Sequence, residues 1–139
     1  MNEMEIKLLD KTKYSGHMLD FSYVSEYYYD LQVESVIGDY TAKLVRKKFD
    51  TPFVNPDRQV DWLYADYWQG AEAYGIEIDG ELIGIVELFY EEWSNRCRIT
   101  ELWLKKEYRR QGIGTQLMNF TKSRAKLIGA RLIMLETQT

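Results

Sequence analysis

A basic, glycine-containing turn at residues 109–114 is the part of this sequence whose residue types best support a specific chemistry. It reads Arg-Arg-Gln-Gly-Ile-Gly, after an apolar run at residues 99–104 and before an amphipathic segment that closes at Gly129. This order predicts a strand, a turn and a helix. Backbone N–H groups, the positive end of a helix dipole and two guanidinium groups would then meet at one place, and that arrangement favours a pyrophosphate.

The residues of the turn suit an anion for separate reasons. Gly112 and Gly114 let the backbone approach phosphate oxygens closely. Arg109 and Arg110 add fixed positive charge, and Gln111 adds a neutral donor. The turn fits neither the P-loop nor the dinucleotide-binding pattern. Because so short a motif also arises by chance, a glycine-relieved turn with solvated arginines is the alternative.

Composition and charge exclude several other classes of protein. A chain of 139 residues with 45% apolar and 29% charged residues is typical of one soluble domain. No segment resembles a membrane span or a signal peptide, so we expect a cytoplasmic protein with no membrane partner. The single cysteine, Cys97, excludes an internal disulfide and a multi-cysteine metal site, and we expect no metal ion.

The distribution of charge favours a cationic substrate over a nucleic acid. The net charge of −4 argues against a nucleic-acid partner. Acidic residues concentrate at residues 57–92 and basic residues at 105–131, which indicates one end suited to an anion and another to a cation. Two ordinary solvated faces are the alternative interpretation.

The N-terminal half is predicted to be a hairpin followed by a helix. Apolar and polar residues alternate from Phe21 to Glu34, rich in tyrosine, which predicts a long half-buried strand. Gly38 and Asp39 are predicted to turn the chain, so that residues 40–49 return as an exposed or edge strand. Residues 57–68 are interpreted as a short helix.

The C-terminal half predicts a hairpin and a strand–helix–strand unit. Asp79-Gly80 between apolar runs at residues 75–78 and 81–89 predicts a type I′ turn, and Gly84 marks a candidate bulge. The helix after the turn would end at Gly129, before a last strand at residues 131–136. Such a unit implies a parallel pair of strands. We therefore expect an α+β fold with one mixed, mostly antiparallel sheet flanked by helices.

The turn and its surroundings resemble a known family. Residues 102–104 and 109–114, with the hairpin around residues 79–84, resemble the acetyl-CoA signature region of the GCN5-related N-acetyltransferase (GNAT) superfamily. More narrowly, the sequence is similar to streptothricin acetyltransferases at residues 86–88, Trp93, Ile99 and residues 135–139. The resemblance is specific from about Tyr74 to the end of the sequence and implies the acyl-CoA N-acyltransferase fold.

The resemblance implies that acetyl-CoA lies across a splay between the strand at residues 102–104 and the strand at residues 132–136. The pantetheine arm would pair with the backbone of the first strand, and the pyrophosphate would bind the N–H groups of the turn. The implied cofactor-binding residues are Leu102, Trp103, Leu104, Arg109, Arg110, Gln111, Gly112, Ile113, Gly114 and Thr115. The acceptor amine would enter from the opposite side, lose a proton and attack the thioester directly.

Two carboxylates are candidate general bases for this reaction. Glu101 lies between Ile99 and Trp103, and a regular strand would place all three on one face. Apolar neighbours would raise the pKa of an acid there, which suits a base near neutral pH. Glu87 is the second candidate. Either acid would instead have a structural role if it faced water at a bulge or paired with Arg96 or Arg98. Streptothricin acetyltransferases tend to carry glutamate at the position of Thr100, so this chain departs from them beside the candidate base.

The end of the sequence departs further from the family. In the family, the strand that corresponds to residues 131–136 is followed by a helix and then by a pair of strands. That helix supplies a tyrosine that protonates the CoA thiolate. Residues 1–139 are thus expected to form a single acetyltransferase domain that lacks this C-terminal part. The uncovered last strand predicts a homodimer that covers its edge, or a disordered C-terminus.

The first hypothesis is an acetyl-CoA-dependent N-acetyltransferase acting on a primary amine of a small cationic molecule. Streptothricin is the leading substrate, with a role in antibiotic resistance, and Trp93 and Tyr28 are candidate substrate-binding residues. A shortened acetyl-CoA-binding module with little turnover is the second hypothesis. An acetyltransferase of a polyamine or of a protein N-terminus is the third.

Overall fold

The computed structural model describes residues 4–55 and 60–137. The strands are β1 (Lys7–Leu8), β2 (Met18–Asp20), β3 (Tyr23–Val36), β4 (Asp39–Asn55), β5 (Val60–Trp62), β6 (Glu72–Ile78), β7 (Glu81–Glu91), β8 (Arg96–Leu104) and β9 (Leu132–Met134). The helices are α1 (Lys11–Tyr14) and α2 (Ile113–Ile128), with 3₁₀ turns at Glu92–Ser94 and Lys106–Tyr108. The described residues fall into two units, one of residues 4–19 and Asp61–Glu136 and one of residues 20–55, Val60 and Thr137. No helix in these ranges is both long and apolar enough to cross a membrane.

A five-stranded mixed sheet with the order β1-β6-β7-β8-β9 is the core of the first unit. Its neighbouring strands are antiparallel except for β8 and β9, which are parallel. This arrangement confirms the predicted α+β fold, its mostly antiparallel sheet and its parallel last pair. Strand β9 is the edge of the described sheet, and Leu132 and Leu135 are exposed there.

The β6–β7 hairpin has the predicted turn. Asp79 and Gly80 have φ angles of 52° and 79°, so both turn positions lie in the left-handed region as a type I′ turn requires. The predicted bulge is also present, because Ile76 pairs with Gly84 and the next residue pairs with Leu82. A Cβ on Gly84 would lie 3.3 Å from Leu104 Cδ1 and 3.4 Å from a Leu117 methyl, so glycine lets helix and sheet approach closely.

Helix α2 forms where the sequence predicted it and ends at the predicted glycine. Gly129, with φ 87°, donates its N–H to the carbonyls of Ala125 and Lys126, both at 3.1 Å. The helix buries one stripe, Ile113, Leu117, Thr121 and Ala125. This stripe packs on the sheet against Tyr74, Ile76, Ile83, Val86, Leu88, Cys97 and Ile99.

The second unit is a long two-stranded ribbon of β3 and β4. The predicted hairpin is confirmed, but its turn lies at Ile37-Gly38, since Val36 pairs with Asp39. The prediction of a half-buried β3 was wrong, because residues 31–36 are all exposed. The alternation of apolar and polar residues does indicate a strand with one apolar and one polar face. A ribbon of only two strands, however, has little core in which the apolar face could be buried.

The predicted helix at residues 57–68 is also corrected for its described part. Residues 57–59 lie outside the described ranges, Val60–Trp62 is strand β5, and turns follow it. Strand β5 pairs with β2 in a separate two-stranded sheet. Tyr64 has a left-handed φ of 55°, and the neighbouring Leu63 N–H donates to the His17 carbonyl at 2.9 Å. Long-range hydrogen bonds thus replace the local ones of a helix.

Candidate active site

The second half of β8 has an open backbone edge. Strand β9 pairs only with residues 96–98, and no other described strand pairs with β8 on that side. The Lys105 N–H donates to the Ile83 carbonyl of β7 at 2.9 Å. Because alternate residues of a strand face the same neighbour, Leu104 and Leu102 turn their N–H and C=O groups away from β7. Their polar groups therefore line the splay between β8 and β9.

The open edge leads through the Lys106–Tyr108 turn to the first turn of α2. The N–H groups of Ile113, Gly114 and Thr115 donate to no acceptor in the described part of the chain, and Gly112 offers no capping side chain. Unpaired N–H groups at a helix N-terminus attract an anion. No atom lies within 4 Å of a Cβ placed on Gly114, so the space in front of these groups is open.

Two polar side chains of the turn point back to the main chain. Arg109 Nε donates to the Leu104 carbonyl at 3.0 Å, and Gln111 Nε2 donates to the Glu107 carbonyl at 2.9 Å. Arg110 has a left-handed φ of 61°, which is uncommon outside glycine. Two of the side-chain donors are thus engaged with the main chain, whereas the N–H groups at the start of α2 are not, and the predicted phosphate contacts of Arg109, Arg110 and Gln111 stay predictions.

The two candidate bases are brought together on the face of the sheet opposite α2. Glu87 of β7 pairs with Glu101 of β8, and Leu88 pairs with Ile99, so Thr100 is an extra residue in β8. This bulge corrects the prediction of a regular strand. Ile99 packs with α2, whereas Glu101 lies on the other face. Both glutamates are nevertheless buried, as the base hypothesis required.

Glu87 is held by two hydrogen bonds inside the first unit. Its Oε2 accepts the Tyr64 N–H at 2.7 Å, and its Oε1 accepts the Thr100 hydroxyl at 2.7 Å. Burial raises the pKa of Glu87, while these two donors act in the opposite direction by stabilising the carboxylate. The alternative that Glu87 has a structural role is therefore well supported by its contacts.

Glu101 has a different environment. Its burial raises its pKa to about 9, and hydrogen bonding to the Asp61 carboxyl group and repulsion from Asp61 and Glu87 act in the same direction. Asp61 Oδ1 in turn accepts the Tyr67 hydroxyl at 3.3 Å. A carboxyl group with this pKa carries its proton at neutral pH, so Glu101 is a hydrogen-bond donor until a cation approaches.

The two arginines considered as partners of these acids bind elsewhere. Arg96 and Arg98 both pair with Glu91, the latter with Nε 2.6 Å from Oε1, and Arg98 also contacts Glu136 at 2.8 Å. Hydrogen bonds from the two guanidinium groups lower the pKa of Glu91 to about 2. The proposed pairing of Glu87 or Glu101 with either arginine is thus wrong.

Aromatic side chains lie near the acids in the same unit. Trp68 packs against Phe89 with ring centroids 5.2 Å apart and against Tyr67 with ring centroids 5.6 Å apart.

The two predicted substrate contacts lie in different units. Trp93 is 81% exposed, and its ring centroid lies 5.1 Å from the Arg96 guanidinium. Tyr28, the other, packs on Phe49 within the ribbon with centroids 4.5 Å apart. Both substrate contacts remain predictions.

Comparison with known proteins decides the family. The sequence profile described as acetyltransferase (GNAT) family matches residues 42–139, which is more than half of the chain. The chain belongs to the GNAT family. Membership makes it an N-acetyltransferase by class, and it confirms the resemblance seen in the sequence. No curated protein matches the chain.

Two solved structures share this GNAT fold over nearly the whole chain. The crystal structure of nourseothricin acetyltransferase is 20% identical with a TM-score of 0.67, covering 98% of this chain and 74% of that chain. A Bacillus anthracis str. Ames protein described as a streptothricin acetyltransferase, in complex with acetyl coenzyme A, is 22% identical with a TM-score of 0.70 and the same coverage. At these identities the likeness shows the fold.

Several site residues of this GNAT chain could not be found from the sequence. Asp61 lies in the segment that the sequence pattern predicts as a helix, and the sequence indicates no role for Thr100 beyond a departure from the family. Tyr64 contacts Glu87 through its backbone N–H, and this contact cannot be predicted from the type of residue at position 64. The sequence does offer one indication that Asp61 belongs to a binding site, because this acid stands next to Trp62 in a segment rich in aromatic residues. Among the described residues, no three or more His, Cys, Asp or Glu are grouped to hold a metal ion.

Proposed function

We propose that this chain transfers the acetyl group of acetyl-CoA to a primary amine of a small cationic substrate. The observation that carries the proposal is the open edge of β8 at Leu102 and Leu104, which leads to the unpaired N–H groups at the start of α2. A strand-like ligand arm that ends in a pyrophosphate matches both features. The acetyl-CoA in the Bacillus anthracis relative supports the choice of ligand.

In this proposal the pantetheine amides pair with the backbone groups of Leu102 and Leu104 that face away from β7, next to Trp103. The Leu104 carbonyl becomes available when Arg109 Nε leaves it. The pyrophosphate binds the N–H groups of residues 112–115 and the positive end of the α2 dipole. The side chains of Arg109, Arg110 and Gln111 supply further donors once the ligand is present. The Arg109 guanidinium would exchange its bond to the Leu104 carbonyl for a phosphate oxygen, because a charged pair is the stronger hydrogen bond.

Glu101 is proposed as the group that takes a proton from the acceptor. An ammonium group next to Glu101 lowers its pKa, so Glu101 releases its own proton and can accept one from the substrate. The neutral amine nitrogen then bonds to the thioester carbon and the C–S bond breaks. Of the two protons that the ammonium loses, one reaches the CoA thiolate and the other passes through Glu101 to solvent.

The acceptor class follows from the charges near Glu101. Asp61, Glu87 and Glu101 place three acids together, and the rings of Tyr67, Trp68 and Phe89 lie close by on the same unit. Carboxyl groups and aromatic faces both attract ammonium groups. We propose streptothricin-type antibiotics as the substrate, with Trp93 of the same unit contacting it. The two named relatives support this choice through their fold.

The test is release of CoA thiol from acetyl-CoA in the presence of a panel of amines. Streptothricin, spermidine and a peptide with a free N-terminus separate the three acceptor classes, and we expect the fastest release with streptothricin. Release with spermidine or the peptide alone would overturn the substrate assignment. Tight acetyl-CoA binding without release for any amine would overturn the transfer itself and leave a binding module.

A further inference from the structure

The β3–β4 ribbon has one apolar and one charged face. Across the ladder, Leu31 pairs with Leu44, and the residues two positions away in each strand share their face. Six large side chains of this face, here called the apolar ribbon face, are between 39% and 72% exposed: Tyr27, Tyr29, Leu31, Val33, Tyr40 and Leu44. The opposite face carries charges such as Asp30, whose carboxylate contacts Lys47 at 2.6 Å.

The apolar area that the ribbon exposes is large for a soluble protein. Since an aromatic side chain buries roughly 150–250 Å² when covered, the six side chains together expose on the order of 600 Å². Soluble monomers rarely expose a contiguous apolar patch larger than a few hundred Å². A two-stranded hairpin is also marginally stable in water without a covered face. Both arguments favour an occupant for the apolar ribbon face.

We propose that a second copy of this chain covers the apolar ribbon face, with the two ribbons packed face to face about a twofold axis near Leu31 and Leu44. Two such faces bury about 1,200 Å² in total, which reaches the range of specific interfaces. A twofold interface requires a patch complementary to itself, and an apolar centre formed by the Leu31–Leu44 pair meets that requirement.

The charges of the ribbon agree with this arrangement. The centre of the face is uncharged, and its cations, Arg46 and Lys48, lie on β4 to one side of Leu44. A twofold axis at the centre therefore keeps like charges of the two copies apart. It also brings each Arg46 toward the tip of the other ribbon, where Tyr40 is 72% exposed. Arg46 already lies 3.8 Å from the Tyr27 ring centroid, so it packs readily on tyrosine.

Sedimentation equilibrium of the purified chain tests the proposal. We expect a dimer for the wild type, and monomers for Leu31→Lys and Leu44→Lys because each buries a charge at the axis. Thr41→Lys is the matched control, since it adds the same charge to the opposite face next to its partner Glu34 and should leave the dimer intact. A wild type that stays monomeric at all concentrations, or a dimer that survives both leucine variants, overturns the proposal.

Cross-linking keeps the test decisive if a lysine variant fails to fold. In a Cys97→Ser background, Leu31→Cys should form an interchain disulfide under mild oxidation much faster than Thr41→Cys. Cys97 is the single cysteine of the sequence, so its replacement leaves the introduced cysteine as the only thiol. Equal rates for the two cysteine variants would contradict a contact through the apolar ribbon face.

Discussion

Glu101 lies directly opposite Glu87 across the β7–β8 ladder, next to the extra residue Thr100. Two buried acids at facing positions cannot both be ionised without strong repulsion. Hydrogen bonds from Tyr64 and Thr100 stabilise the charge on Glu87, whereas Glu101 bonds to another carboxyl group. The proton of the pair therefore belongs on Glu101, and the two glutamates have different roles.

Glu101→Gln is expected to lower kcat by about 10²- to 10⁴-fold, the usual contribution of a positioned general base. The thiol-release assay measures this change with the best amine of the panel. Glu34→Gln, an exposed glutamate on the ribbon, is the control and should keep wild-type activity. An active Glu101→Gln variant would show that the base is another group or solvent.

Asp61→Asn is expected to shift the pH profile of kcat/KM. Asp61 helps to raise the pKa of Glu101 to about 9, and an amide that carries no charge removes the repulsive part of this effect. The rising limb of the profile should then move to lower pH, by on the order of one unit. The substrate is the same in both enzymes, so its own ionisation cannot cause a difference. An unchanged limb would contradict the coupling of Asp61 to Glu101.

The stability of the wild type should fall as the pH rises from about 4.5 to about 9. Glu101 keeps its proton in the folded chain through this window, whereas the unfolded chain releases it near the ordinary value of 4.5. The folded state thus binds more protons, and the free energy of unfolding decreases by at most about 1.4 kcal/mol per pH unit.

Glu101→Gln cannot ionise and should escape that decrease. We expect its Tm to exceed that of the wild type at pH 8, with the difference shrinking toward pH 4.5. Thermal denaturation at several pH values measures it, again with Glu34→Gln as the control. A variant less stable than the wild type at pH 8 would contradict a protonated Glu101.

Gly114→Ala separates cofactor binding from stability. Gly114 lies within α2, and an added Cβ meets no atom within 4 Å, so alanine should stabilise the helix by up to about 1 kcal/mol. The same methyl group would obstruct a phosphate near the N–H groups, and the Kd for acetyl-CoA should rise about ten-fold, equivalent to ~1.4 kcal/mol. Calorimetric titration checks this. Ser123→Ala, on the exposed side of α2, is the control and should leave the Kd for acetyl-CoA unchanged. If Gly114→Ala also bound acetyl-CoA with the wild-type Kd, the phosphate site would be contradicted.

Thr100→Val tests the hydroxyl that holds Glu87. The variant keeps the shape of the side chain but removes the donor to Glu87 Oε1, which costs about 1–3 kcal/mol when the acceptor is buried. Urea unfolding at neutral pH measures the loss. Thr100→Ser keeps the hydroxyl and should stay within about 1 kcal/mol of the wild type. Equal losses for both variants would show that the methyl group, and not the hydroxyl, matters.

The sequence by itself determined the features that depend on neighbouring residues. The type I′ turn at Asp79-Gly80 follows from the φ angles that these two residues tolerate, and the end of α2 follows from Gly129 in the same way. The buried apolar stripe of α2, and the position of this helix after the glycine-containing turn, follow from the helical spacing of its apolar residues. These local preferences act over a few residues, so they can be predicted without knowing the distant contacts of the fold.

Tertiary structure alone decided the chemistry of the acids and the state of the ribbon. The pKa of Glu101 depends on Asp61, forty residues earlier in the chain, and on a bulge at Thr100 that no local pattern predicts. The segment around Tyr64 does not form the predicted helix, because its long-range hydrogen bonds outweigh a weak helical propensity. Alternation in β3 predicted two faces correctly, but only the fold shows that the apolar one is exposed, since burial depends on what the rest of the molecule places against it.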